Sequence, residues 1–341
     1  MKKNLKLVIS FICLFSSSVK ASTVSIDLQK CRDNISNVVC LVEESDSVEV
    51  ASCLDEGDKY VSLFEELFDA YPAYLQRVFC SLKTINIERK SFGSAYASVV
   101  EDENGNINGA IMGIKESLLN NSDIDFDLWS SWKEQLSFGG YKEYKLKKDL
   151  PTFSSTKSLK VNSFLYFVIA HEFGHIIDFS NDLNNFICHP PIKNLKNCPP
   201  APFSWGEISW EKELHYIPDD INEFGTIEGV PLKENRFLDW KKLCFYTCNK
   251  GDYIIESNIN KLYQEMFSGS FISTYSSTNP HEDFAESLAY YTIFEHSDFE
   301  VVLDTGQGQT IDIKEYFYSD KFKKKREWIS KLIKYSRIIY P

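Results

Sequence analysis

The sequence predicts an α+β fold that is mainly helical and contains one small sheet. Three stretches, at 61–79, 161–180 and 280–290, carry apolar residues at the three- and four-residue spacing of helices. A fourth stretch, from Ala95 to Ile114, has two apolar runs on either side of an Asn-Gly turn, which is typical of a two-stranded hairpin. The 341 residues are enough for one large or two ordinary domains.

The first 21 residues have the features of a secretory signal peptide. Lys2, Lys3 and Lys6 precede a short apolar run at Leu7–Phe15, and the small residue Ala21 closes the segment. This apolar run is too short to cross a membrane, and no later stretch approaches the required length of about 18 apolar residues. We therefore expect an exported protein, secreted or periplasmic, without a transmembrane segment.

The chain is acidic, which argues against a nucleic-acid partner. Its formal charge is −12, and removal of residues 1–21, with four lysines and no acid, would make it −16. Phosphate contacts need a positive face. The exception is the basic run Lys321–Arg326, followed by apolar residues at helical spacing. We interpret it as a terminal helix that docks through its apolar edge, with an anionic membrane surface as the alternative partner.

Residues 22–90 are predicted to form a helical, self-contained region, with a break at Pro72. No catalytic pattern occurs there, so a cap, a pro-segment and a partner-binding module all remain open. The chain has eight cysteines after the signal, and an even number in an exported protein indicates disulfides. Four lie on each side of the 161–180 helix, so we expect pairing within each half, although a structural zinc site is a rival interpretation. These cysteines are Cys31, Cys40, Cys53, Cys80, Cys188, Cys198, Cys244 and Cys248.

The helix predicted at 161–180 contains the pattern H-E-x-x-H, with His171, Glu172 and His175. Residues four apart lie on one face of a helix, so the two imidazoles can share a metal ion while Glu172 reaches a water beside it. Either Ser158 or Asn162 is expected to cap the helix. The competing interpretation is a pair of core histidines held by carboxylates. Catalytic zinc usually takes a third protein ligand, so the pattern needs a partner elsewhere in the chain.

Glu282 is the leading candidate for that third ligand. It lies with Glu286 on one face of the helix predicted after Pro280, where Glu286 can accept a hydrogen bond from the far nitrogen of a ligand histidine. A metzincin would need glycine and histidine where this chain has Asp178 and Asn181, so that class is excluded. The remaining histidines are alternatives, and His281 is the strongest of them. They are His189, His215, His281 and His296.

The stretch HEFGH, together with Y-S-S-T-N-x-x-E-x-F-A-E from Tyr275 to Glu286, resembles the catalytic domain of anthrax lethal factor and its gluzincin relatives. The resemblance implies zinc bound by His171, His175 and Glu282, and a tyrosine, Tyr275, above the metal-bound water. It covers about 25 residues in two blocks. The gap between the blocks is longer here than in lethal factor.

Together these features predict a zincin-like metallopeptidase domain over residues 91–341. The hairpin would form the sheet of its upper subdomain, and residues 179–274 would form a loop-rich insertion with several prolines. The expected function is a zinc-dependent endopeptidase of protein or peptide substrates, with one zinc ion and Glu172 as general base. The alternatives are a catalytically silent zinc-containing binding protein and a zinc amidase acting on a cell-wall peptide. The sequence leaves the oligomeric state open.

Overall fold

The computed structural model describes residues 26–43, 53–54, 57–90, 93–139, 144–156, 159–185, 187, 195–216, 227–237, 240 and 258–334. The fold of these residues is mixed α/β and about half helical. The predicted signal peptide lies outside them, as do Cys188, Cys244, Cys248 and His189. Within the described ranges no helix is long and apolar enough to span a membrane.

The first sheet contains strands from both sides of residue 90. Its order is β1-β2-β4-β3, and β2 pairs with both β1 and β4 in parallel. Strands β3 and β4 form the antiparallel hairpin that the Asn-Gly turn predicts, so this prediction is confirmed. The four strands are β1 Val39–Val42, β2 Leu82–Glu88, β3 Ala95–Glu101 and β4 Ile107–Lys115.

This sheet corrects the prediction that residues 22–90 form a self-contained helical region. The described part of that region supplies β1 and β2, and its apolar side chains belong to the same core as those of the later helices. A buried parallel strand is a short, nearly continuous apolar run, which periodicity alone cannot distinguish from part of a buried helix. The helices of the region are α1 Leu28–Asp33, α2 Ile35–Val38, α3 Val61–Ala70 and α4 Ala73–Ser81.

Two local predictions in this region are confirmed. Pro72 separates α3 from α4 and occupies the N-cap position of α4, where its missing N–H costs nothing. Disulfides join Cys31 to Cys80 and Cys40 to Cys53, so the four cysteines of the first half pair among themselves. The pairing of the second half falls outside the described residues.

The described part of residues 116–156 contains two helices and a strand. They are α5 Glu116–Asn120, α6 Phe126–Leu136 and β5 Thr152–Thr156. The Asp125 carboxylate caps α6 by accepting a hydrogen bond from the Leu128 amide. The buried residues of α6 include Lys133 and Glu134 as well as Trp129.

The long buried helix α7 spans Ser163–Asn181 and confirms the helix predicted around H-E-x-x-H. Its N-cap is Asn162, whose side chain accepts a hydrogen bond from the Leu165 amide. Most of its side chains are buried on all sides, so it is a core helix rather than a surface one. The edge strand β3 packs against it, which brings the first sheet beside the histidines.

The described part of the predicted insertion is more regular than expected. It contains a three-stranded antiparallel sheet, in the order β6-β7-β8, and a helix whose apolar face is buried. Trp205 and Trp210 are fully buried and anchor this part of the chain to the core. The elements are β6 Leu195–Cys198, β7 Trp210–Tyr216, β8 Ile227–Pro231 and α8 Ile259–Ser268.

The second core helix, α9, spans Pro280–His296 and packs along α7. A methyl group on Gly174 of α7 would lie 2.7 Å from the Ala285 Cα of α9, so the glycine permits this close approach. After α9, strands β9 Glu300–Asp304 and β10 Thr310–Asp312 complete a sheet with β5, in the order β10-β9-β5. The helix pair is the central element of the fold.

The C-terminal helices α10 Ile313–Tyr318 and α11 Lys323–Lys334 cover the end of this core. Within the basic run, Lys325 is fully buried and its ammonium pairs with both carboxylate oxygens of Asp283 on α9, at 2.6 and 2.7 Å. Ile329 is buried one turn further on. The prediction of a terminal helix docked through its apolar edge is therefore confirmed, with a buried ion pair added.

Candidate metal centre

Helix α7 places two histidines side by side at the edge of the core. The Nε2 atoms of His171 and His175 are 3.1 Å apart, and the His171 side chain is almost fully buried. The spacing of four residues, with about 400° of rotation, brings the rings onto the same helix face. The sequence prediction that the two imidazoles converge is therefore confirmed.

Helix α9 brings Glu282 to the same point from more than a hundred residues later in the chain. The Glu282 Oε2 atom lies 3.1 Å from His171 Nε2 and 3.4 Å from His175 Nε2. The start of α9 fixes this position, because the Asn279 side chain caps the helix by accepting hydrogen bonds from the amides of His281 and Glu282. The three side chains offer ligand atoms that all lie within 4.8 Å of one another.

The chemistry of this group fits a zinc ion. Glu282 Oε2 is buried and makes no hydrogen bond of good geometry among the described residues, which is costly for a carboxylate oxygen unless a cation faces it. Two imidazole nitrogens and one carboxylate form a ligand set that catalytic zinc sites use. Burial raises the pKa of the Glu282 carboxyl, but the two histidines outweigh it and hold that pKa well below its usual value.

The charges around His171 also favour a cation at this site. Burial and the Lys133 ammonium both lower its pKa, but the carboxylates of Glu282 and Glu286 outweigh them and raise it to about 9. The surroundings of His171 therefore favour a positive charge at this position, whether a proton or a metal ion supplies it.

Glu286 lies behind His171, one helical turn after Glu282. Its Oε1 atom is 3.2 Å from His171 Nδ1 and 3.0 Å from the Lys133 ammonium, which donates a hydrogen bond to it. The Ser273 hydroxyl donates to the other oxygen, at 2.9 Å. Burial raises the pKa of the Glu286 carboxyl, but Lys133 and His171 outweigh it and lower the pKa to about 2. A carboxylate at this position can hold His171 in the tautomer that leaves Nε2 free for a metal.

Glu172 and Tyr275 line a cleft of about 340 Å³ beside the histidines. Burial raises the pKa of the Glu172 carboxyl, and within the described part of the chain it accepts no hydrogen bond from the protein. Tyr275 begins a short 3-10 helix, and its ring centroid lies 5.9 Å from that of His171. The remaining lining residues are Gly93, Ser94, Ala95, Trp129, Trp132, Lys133 and Val168.

The alternative ligand His281 lies in a different cluster. Its Nδ1 atom is 2.6 Å from Asp178 Oδ2, and its Nε2 atom is 3.2 Å from Glu213 Oε1. Burial lowers the His281 pKa, but the two carboxylates outweigh it and raise it to about 10. This partly buried cation, with 20% of its side chain exposed, joins α7, α9 and β7. His296 packs against Tyr74, and the side chain of His215 lies outside the described residues.

Lys133 is the principal site residue that sequence reasoning missed. Its ammonium lies 3.6 Å from the centre of the Tyr275 ring and 4.7 Å from that of Trp129. The only available signal is a pair of adjacent charges, Lys133 and Glu134, within a helical stretch that also carries two tryptophans. Such charges lie on the solvent side in most helices, so nothing in the pattern indicates that both are buried.

One comparison with known proteins bears on the α9 part of this site. The family model Peptidase_Mx1, described as "Putative zinc-binding metallo-peptidase", matches residues 235–338. That range includes Tyr275, Glu282 and Glu286 but not α7. No curated protein and no solved structure gives a significant match to the chain. The match and the three converging side chains support a zinc metallopeptidase that acts on a protein or peptide substrate.

Proposed function

We propose that the protein is an exported zinc-dependent endopeptidase of the gluzincin type, with His171, His175 and Glu282 as ligands of one catalytic zinc. The observation that carries this proposal is the convergence of three ligand atoms within 4.8 Å from two helices that are far apart in the sequence. The Glu172 carboxylate lines the adjoining cleft, so a proton acceptor stands beside the ligand group. The likeness of HEFGH and of Tyr275–Glu286 to the lethal factor catalytic domain supports the same assignment.

Each residue has a role that follows from its place. When bound, zinc supplies a Lewis acid that polarises a carbonyl and lowers the pKa of a water. Glu172 takes a proton from the water that attacks the peptide carbonyl and returns it to the departing amine. Tyr275 donates a hydrogen bond to the carbonyl oxygen as negative charge develops on it. Glu286 accepts the Nδ1 proton of His171 and so orients its Nε2.

The edge strand β3 is proposed to bind the substrate backbone. It is the last strand of its sheet, its first residue lines the cleft, and it packs against α7. An exposed strand edge can pair with an extended peptide through main-chain hydrogen bonds. An extended peptide bound there would pass the histidines and Glu172.

The decisive experiment is Glu172→Gln in the purified protein, assayed with casein and a quenched peptide library with and without a chelator. We expect the variant to retain zinc and to lose peptidase activity by about three orders of magnitude or more, because glutamine cannot accept the proton. Unchanged proteolysis in this variant would contradict the proposal. If the wild-type protein binds zinc but cleaves neither substrate, the silent binding protein becomes the better assignment, and cleavage of cell-wall peptides alone would favour the amidase.

Export is proposed from residues 1–21 alone. The N-terminal sequence of protein recovered outside the cytoplasm would test it, with Ser22 expected as the first residue.

A further inference from the structure

The Lys133 ammonium contacts two groups of the candidate site at once. Its ammonium donates a hydrogen bond to Glu286 Oε1 at 3.0 Å, and Glu286 Oε1 in turn lies 3.2 Å from His171 Nδ1. The same ammonium lies 3.6 Å from the centroid of the Tyr275 ring, which is within the distance of a cation–π contact. One buried positive charge therefore contacts both the carboxylate behind a metal-ligand candidate and the tyrosine beside it.

The burial of Lys133 strengthens both of its contacts. Only 9% of its side chain is exposed, against 4% for Glu286, so solvent screens the pair weakly. The ring of Trp129 on the same helix lies 4.7 Å from the ammonium and makes a second cation–π contact. A lysine is rarely buried to this degree without a partner, and here the partners are Glu286 and two aromatic rings.

Glu134, the next residue of α6, binds the backbone of the segment that carries Tyr275. The Glu134 Oε1 atom accepts hydrogen bonds from the Thr274 amide at 3.0 Å and from the Tyr263 hydroxyl at 2.7 Å. Ser137, one turn later, has its hydroxyl 3.1 Å from that of Thr274. Helix α6 thus fixes the main chain just before Tyr275 through Glu134, while Lys133 contacts the ring of Tyr275 itself.

We propose that Lys133 is a positioning residue that couples the orientation of His171 to the placement of Tyr275. Through Glu286, Lys133 restrains the His171 imidazole, and through the cation–π contact it restrains the Tyr275 ring. The positions of both groups therefore depend on the position of one ammonium group. This inference rests on the proposed function for the role of Tyr275, whereas the coupling of Lys133 to His171 is independent of activity.

The test uses Lys133→Met in the full-length protein, with Lys148→Met, an exposed lysine elsewhere, as the matched control. We expect Lys133→Met to leave zinc at one equivalent and KM nearly unchanged, and to lower kcat by about 10- to 100-fold, because a small displacement of positioned groups costs about that much. In a Tyr275→Phe background the same substitution should cost clearly less, since residues that act together are not additive.

Cobalt substitution supplies a readout that does not depend on turnover. The visible absorption of Co²⁺ in place of zinc reports ligand geometry, so Lys133→Met should shift that spectrum while Lys148→Met should not. If Lys133→Met folds poorly because Glu286 loses its partner, Lys133→Gln keeps a hydrogen-bond donor for Glu286 but removes the positive charge, and it should show the same spectral shift.

An unchanged cobalt spectrum, or an effect on kcat that is the same with and without Tyr275→Phe, would overturn the proposal and leave Lys133 as a core residue only. If the wild-type protein has no peptidase activity at all, the proposed function fails, but the cobalt spectrum still decides whether Lys133 acts on His171.

Discussion

At the scale of single residues, the buried carboxyls around the site are held in different protonation states by their neighbours. The Glu134 carboxyl is fully buried, and burial raises its pKa to about 7, although the hydrogen bonds from Tyr263 and Thr274 oppose the shift. The pKa of the Glu286 carboxyl, on another helix, is lowered instead, because this carboxylate faces Lys133 and His171. Burial alone therefore does not set the charge of a carboxyl here, and the nearest cation does.

The raised pKa of Glu134 predicts how the free energy of unfolding changes with pH. Its folded pKa of about 7 lies above the usual value of 4.5, so between these values the folded state binds more protons than the unfolded state. The free energy of unfolding should then fall as pH rises from about 5 to 8. In Glu134→Gln this part of the decline should disappear, which thermal unfolding at pH 5 and pH 8 would measure. An equally steep decline in the variant would contradict the assignment.

Removal of one histidine should abolish metal binding at low concentrations. His175→Ala takes away one of three ligand side chains and leaves Glu282 with a single imidazole. We expect zinc affinity to fall by at least about two orders of magnitude, measured by competition with a chromophoric chelator. The alternative ligand His296 gives the contrast, because His296→Gln leaves the three proposed ligands and the His281–Asp178 pair in place and should retain stoichiometric zinc.

At the scale of elements, the distance between α7 and α9 depends on the absence of a side chain at Gly174. Gly174→Ala would place a methyl group 2.7 Å from the Ala285 Cα, and backbone cannot move aside as a flexible side chain can. We expect a loss of about 1–3 kcal/mol in the free energy of unfolding and a weaker zinc site, because the ligands of the two helices separate. Gly93→Ala, whose methyl meets nothing closer than 3.6 Å, is the control for stability.

The buried ion pair of Lys325 and Asp283 joins α11 to α9. Asp283 directly follows the proposed ligand Glu282 in the sequence. The Trp210 indole N–H also donates to Asp283 Oδ2, at 3.1 Å, so the carboxylate joins three parts of the chain. Lys325→Met should lower the free energy of unfolding by about 3–5 kcal/mol, because it leaves a buried charge without its partner. Chemical denaturation would measure this, with the exposed neighbour Lys324→Met expected to change little. A loss below about 1 kcal/mol for Lys325→Met would mean that the pair is not essential to docking.

At the scale of the whole molecule, local signals in the sequence predict the central elements and miss the long-range ones. The helix α7, the β3–β4 hairpin and the break at Pro72 each follow from residues close together in the chain. The parallel pairing of β2 with β4 and the buried face of α6 depend on distant partners, so composition and periodicity do not indicate them. The sequence identifies Glu282 because the stretch Tyr275–Glu286 forms a recognisable motif. Lys133 belongs to no such motif, so the sequence does not identify it.

The metal should stabilise the protein without being needed for folding. Helices α7 and α9 are held together by core packing and by the His281–Asp178 pair, in addition to the proposed zinc ligands. We expect the chelated protein to keep its far-ultraviolet circular dichroism and to lose about 5–12 °C in Tm relative to the zinc-loaded form. Loss of secondary structure on chelation at room temperature would show instead that the metal holds the fold.

The parallel ladder between β2 and β4 also limits how this protein can mature. Because β2 lies between β1 and β4, a protease that cuts the chain near residue 91 would not release the preceding segment, which would stay attached through the sheet and the common core. Activation by discarding that segment would therefore require unfolding of the enzyme itself. Such a cut should yield two fragments that co-elute under native conditions and separate only in denaturant.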